Sequence, residues 1–136
     1  MKKFASILLL AVLAAGCRTS MVVPTPPQTP TTLEDGSKVV AYLEGENTCY
    51  YLFDLFPLWC GNSARPNTGD YYIFQSKFSE IRNQAMLENF AKNLDADTVV
   101  QIKHRRTSTG KGGLWIVWTD VIETTGTAVK NTRRKD

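Results

Sequence analysis

Residues 79–106 read SEIRNQAMLENFAKNLDADTVVQIKHRR, and the change of period inside them decides the fold. From Ser79 to Leu94 the apolar residues Met86, Leu87, Phe90, Ala91 and Leu94 recur at i, i+1, i+4, i+5 and i+8, which is one stripe of a helix. Arg82, Glu88, Asn89, Lys92 and Asn93 fall on the other side, and Ile81 lies off the stripe. Asp95-Ala96-Asp97 breaks the helix. From Thr98 to Arg106 the period becomes two, with Val100, Ile102 and His104 on one face and Gln101, Lys103 and Arg105 on the other. A helix with one apolar side, followed directly by a half-buried strand, buries that side against a sheet.

Working outward, 107–113 carries Gly110, Gly112 and Gly113 and is expected to turn the chain into the apolar run 114–122. Gly126 marks a bulge ahead of Thr127-Ala128-Val129, and the polar tail 131–136 is expected to fray. Upstream, 38–43 is a β-prone run, Glu44-Gly45-Glu46-Asn47 is turn chemistry, and 48–55 is a second, aromatic run, so a hairpin is expected there. Pro57 is expected to end the pairing, and 61–70, GNSARPNTGD, reads as a loop. Tyr71-Tyr72-Ile73-Phe74 reads either as a strand or as the lead-in to the helix. The expected domain, 37–130, is α+β in the order β-β-α-β-β, one helix packed on a small antiparallel sheet. Trp115 and Trp118 fall on opposite faces of the last hairpin, and both are expected to be covered. At 136 residues the chain is long enough for one such domain and no more.

The N-terminus has a different character. Met1-Lys2-Lys3 precedes an apolar run over 4–15 that only Ser6 interrupts. A spanning helix needs about 20 apolar residues, so this shorter run has the pattern of a signal peptide over 1–16. Pro24, Pro26, Pro27 and Pro30 make 18–36 a semi-extended, disordered tether that would hold the domain off a membrane. Leu13-Ala14-Ala15-Gly16-Cys17 resembles the lipobox of bacterial lipoproteins, with Ala14 where Leu is commoner. The resemblance implies that Cys17 becomes the first residue of the tether 17–36, carrying a diacylglycerol thioether and an N-acyl chain such as palmitate. Arg18 follows it rather than the Asp that favours inner-membrane retention, which implies the outer membrane, facing the periplasm. Loss of Lys2 and Lys3 leaves 14 basic and 13 acidic side chains, a net charge of +1, which disfavours a globally basic nucleic-acid binder.

Ala91-x-x-Leu94-x-Ala96-Asp97-x-Val99-Val100, a helix end running straight into a strand, is similar to the joint of small envelope lipoproteins of the TRL-like and Bor-like kinds. The aromatic segment from Tyr50 to Trp59 ahead of the helix is similar in character; a Bor-like cysteine within the helix is absent. Those families have little assigned chemistry, so the resemblance implies a location and a fold.

With Cys17 acylated and the periplasm oxidising, Cys49 and Cys60 are expected to form a disulfide. In one straight strand they would stand about 35 Å apart, whereas a disulfide needs Cα atoms within about 7 Å. The chain must therefore fold back around 54–57. They form no CxxC pair and no redox motif. His104, the only histidine, reads as a structural or solvent-edge residue, and no metal-ligand spacing accompanies it. Asp95 and Asp97 read as turn formers, and Gly110-Lys111-Gly112-Gly113 lacks phosphate-loop spacing. Lys103, Arg105 and Arg106, with Arg133-Arg134-Lys135, are the basic clusters. They read as solvated faces that could also meet lipid headgroups or anionic wall polymers. No cofactor is implied. These residues lead to the expectation of a non-enzymatic, membrane-anchored lipoprotein acting through envelope proteins or cell-wall polymers. The alternative is a periplasmic ligand-binding or redox- or stress-sensing lipoprotein, responding through Cys49 and Cys60.

Overall fold

A computed structural model describes residues 19–111 and 116–131. The expected signal peptide 1–16, Cys17, Trp115 and Arg133-Arg134-Lys135 lie outside the described residues. The described chain runs β1 (Ser20–Thr25), β2 (Lys38–Leu52), β3 (Phe56–Gly61), β4 (Tyr71–Ile73), α1 (Glu80–Asn93), β5 (Thr98–Lys111) and β6 (Val117–Lys130). Every strand pairing is antiparallel, in the order β4-β3-β2-β6-β5 with β1 also on β2. The fold is α+β, a mostly antiparallel sheet with one helix among the described residues. Its order is β-β-β-β-α-β-β rather than the expected β-β-α-β-β.

The helix forms where the periodicity places it. Ser79 is its N-cap, its Oγ accepting from the Arg82 N–H at 3.3 Å, and Leu94 is its C-cap. Met86, Leu87 and Ala91 are buried against Val22, Leu43, Val99 and Ala128 of four strands. Asn83 is equally buried, although polar.

Several expectations are corrected, each for a physical reason. Glu44-Gly45-Glu46-Asn47 is not a turn but the middle of β2, a strand of 15 residues. Gly45 sits beneath the helix, where a Cβ would collide with Leu87 Cδ1 and Met86 Cε. The glycine allows close approach of helix to sheet rather than chain reversal. Reversal comes later, where Leu55 N–H donates to Leu52 C=O at 3.1 Å around Phe53 and Asp54, so that β2 and β3 make the hairpin and Pro57 lies inside β3, opposite Tyr51.

The expected tether is the third strand along β2. β1 pairs with Tyr42–Asn47 on the edge that β3 takes up again at Cys49. Thr19 C=O accepts from Thr48 N–H at 2.7 Å. Ordered structure therefore already includes Thr19 and β1, well upstream of the start expected near Ser37. The proline-rich stretch beyond β1 is also tied back, with Val39 N–H donating to Thr31 C=O at 2.8 Å.

The remaining two corrections concern β5. It continues through Thr107 to Lys111, so the turn to β6 begins later than residue 107. Between Val100 and Lys103 its register slips against β6, Gln101 and Ile102 standing opposite the single Gly126. Gly126 thus marks a bulge, but the extra residue belongs to β5, and Gln101 takes φ 55. The bulge inverts the alternation. Val99 lies in the core, paired with Ala128, while Val100 pairs with Thr127 on the opposite face from Ile102 and His104.

Candidate functional site

Because cross-strand partners share a face, the register aligns Tyr72, Cys60, Cys49, Asp120 and Ser108 in one row across β4, β3, β2, β6 and β5. The row lies on the helix side of the sheet. Cys49 and Cys60 stand directly opposite each other, Cα to Cα 4.0 Å, at disulfide distance. The fold-back that the pairing requires is the turn at Phe53 and Asp54. Both cysteines are fully buried.

Beside them Asp120, 2% exposed, accepts from Arg106 Nη2 at 2.6 Å on one carboxylate oxygen and from Ser108 Oγ at 2.6 Å on the other. The hydrogen bond to Asp120 raises the Arg106 guanidinium above its ordinary value, against a smaller lowering by desolvation. A carboxylate with a donor on each oxygen and a guanidinium beside it is the arrangement of a structural ion pair rather than a general base. Arg106 also lies over the Phe78 ring at 5.5 Å, and the Tyr51 and Ser76 hydroxyls meet at 3.2 Å. The segment leading into the helix is therefore fastened across this part of the sheet.

Sequence reading missed Asp120, although an acid inside the apolar run 114–122 was a legible signal that a buried partner must exist. It also grouped Lys103, Arg105 and Arg106 as one cluster. Strand alternation divides them, Lys103 and Arg105 facing away from the helix and Arg106 toward it. Arg105 pairs loosely with Glu123 at 3.9 Å. His104 is exposed, its Nδ1 2.9 Å from Thr124 Oγ1, which also accepts from Asn83 Nδ2 at 3.2 Å. Asp95 takes φ 60 and pairs with Lys130, and Asp97 accepts from Asn131 N–H at 2.8 Å. Both acids are the turn formers expected at this joint. Trp118 is half-buried, opposite Tyr51 and Gly110.

Two surface features complete the candidates. On the face away from the helix a depression of about 680 Å³ is lined by Tyr42, Glu44, Gln101, Lys103, Thr125 and Thr127, among others. It lies over the β5 bulge and offers polar groups of both charges. At the far end of β2 the apex of the molecule is apolar: Phe53, Leu55, Phe56, Ile73, Phe74 and Ile116 are all exposed. Phe53 N–H donates to Ile116 C=O at 2.7 Å and Phe74 N–H to Leu58 C=O at 3.1 Å, so these side chains arise from one contiguous end. Among the described residues no group of three or more His, Cys, Asp or Glu is placed to hold a metal. No described helix is long and apolar enough to cross a membrane. Comparison with known proteins finds no matching family, no matching curated protein and no matching solved structure.

Proposed function

We propose that this chain is a bacterial envelope lipoprotein, acylated at Cys17 and facing the periplasm from the outer membrane. In this reading its α+β domain works by contact with envelope proteins or cell-wall polymers and not by catalysis. The observation that carries it is a lipobox ending at Cys17 ahead of a domain whose two other cysteines stand at disulfide distance. A buried cystine fits an oxidising compartment. The helix-to-strand joint from Ala91 to Val100 supports kinship of layout with the TRL-like and Bor-like lipoproteins.

The test is the intact mass of the protein purified from membranes, before and after thiol alkylation without reduction. A Cys17 N-terminus bearing three acyl chains, with Cys49 and Cys60 unlabelled, is expected. An unacylated chain would sink the anchoring, and two labelled thiols in the denatured protein would sink the disulfide. The second reading, a ligand-binding lipoprotein, draws on the depression beside Lys103 and Glu44. Its mark would be a saturable thermal shift with a small polar ligand that Lys103→Ala removes. Redox sensing through Cys49 and Cys60 is less favoured, because burial of both sulfurs denies access to an attacking thiolate.

A further inference from the structure

We propose that the apolar apex is a membrane-docking element that seats the domain on the same bilayer that holds its acyl chains. The inference rests on acylation of Cys17 and goes beyond it. It reverses the picture of a domain held at a distance on a flexible tether.

Three observations carry it. The first is composition. Leu55 is 73% exposed, Phe56 63% and Phe74 75%, and Phe53, Ile73 and Ile116 join them on one end of the sheet. A contiguous exposed patch of aromatic and branched side chains marks a site of partner or membrane contact. The second is conformation. Phe53, Asp54 and Phe74 take φ 52, 59 and 53. Left-handed backbone at a bulky residue is unfavourable and persists where surrounding structure over-determines it, commonly at functional sites. The strain here holds Phe53 and Phe74 outward, where folding alone gains nothing from them.

The third observation selects the occupant, and it is the length of chain between the anchor and the fold. Thr19 is fixed to Thr48, so Cys17 reaches at most about 7 Å from the folded domain. β1 runs antiparallel to β2, and its N-terminal end is therefore directed toward the apex. From Thr48 to Phe53 the sheet extends about 17 Å further in that direction. A domain held this close to a lipid surface touches it with the apex at any moderate inclination of its strands. Asp54, the charge at the tip of the hairpin, sets the depth. The neighbouring side chains enter the headgroup and acyl boundary, as interfacial elements do, rather than the hydrocarbon centre.

The test uses the full chain, produced with its lipobox and reconstituted in phosphatidylethanolamine and phosphatidylglycerol vesicles. An environment-sensitive fluorescent amino acid replaces Leu55 in one sample and Glu34, at the opposite end of β2, in another. Quenching by bromine-labelled phospholipid is expected to be at least threefold stronger at position 55, with weaker quenching there by aqueous iodide. Replacing Phe53, Phe56 and Phe74 together with Ser is expected to abolish the difference while the thermal transition and the acylated mass persist. Equal bromolipid quenching at both positions overturns the proposal. So does shielding of position 55 from iodide without bromolipid quenching, which would identify a protein neighbour such as a second copy. The mass of the same sample separates the two failures. An acylated protein without differential quenching overturns docking alone, whereas an unacylated one overturns the anchoring on which docking rests.

Discussion

At Val22 the outer edge of β1 meets the carboxamide of Asn67 instead of a further strand. Asn67 Oδ1 accepts from the Val22 N–H at 3.0 Å, and Nδ2 donates to the Val22 C=O at 2.9 Å. One side chain thus satisfies both backbone groups of a buried residue, as a neighbouring strand would. Asn67 takes φ 67, a conformation Gly adopts freely, so Asn67→Gly removes the amide without straining the loop. A loss of about 1 to 3 kcal/mol in urea denaturation is expected. Asp120→Asn keeps the shape of its side chain but gives up the charge opposite Arg106. Because Arg106 is more than half exposed, solvent screening reduces the cost to about 1 to 2 kcal/mol, read from the same denaturation curves. At this scale the sequence was unevenly legible. Asp120 announced itself as an acid in an apolar run, whereas Asn67 lies in a loop whose composition says nothing about which backbone it will reach.

Helix α1 was legible to the residue because capping and periodicity are local signals. β2 was not, because Gly45 and its neighbours are turn formers by composition and are made strand by what lies above them. If the glycine is there for close approach, Gly45→Ala should cost about 1 to 3 kcal/mol through overpacking. In the background of Leu87→Ala, whose own cost is about 2 to 5 kcal/mol, the second substitution should cost much less. The coupling in a double-mutant cycle is the measurement, and simple additivity would refute the contact. That the extra residue of the bulge lies in β5 escaped reading for the same reason, since one extra residue at Gln101 inverts which valine faces the core while leaving composition unchanged. The β2–β3 turn offers the converse experiment. Asn-Gly suits two positive φ values far better than Phe-Asp, so Phe53→Asn with Asp54→Gly should stabilise the domain by about 1 kcal/mol. The same pair of changes should weaken vesicle docking, a separation of stability from function that thermal melting and bromolipid quenching can each read.

For the molecule as a whole, one apolar-sided helix and a set of strands sufficed to indicate an α+β fold. The order of strands was not legible, because β1 is built from a stretch of threonine, valine and proline whose partner edge is supplied by β2. The paired cysteines stand in the same region at disulfide distance. Removing them as Cys49→Ala with Cys60→Ala should cost about 2 to 3 kcal/mol for so short a loop. Reducing the wild type should lower its urea midpoint similarly and leave the double variant unmoved. β1 itself has a mechanical consequence. For an anchored chain, any pull between membrane and domain enters at Thr19 and is taken first by the six residues of β1, whose ladder to β2 runs alongside the line of tension. Bonds stretched in shear resist together, and the Asn67 clamp on Val22 adds two more. Should they give way, the chain would pay out only as far as Thr31, whose carbonyl is tied to Val39, before tension reaches β2. In an anchored chain the strand would then act as a force fuse, sparing the sheet that holds the paired cysteines.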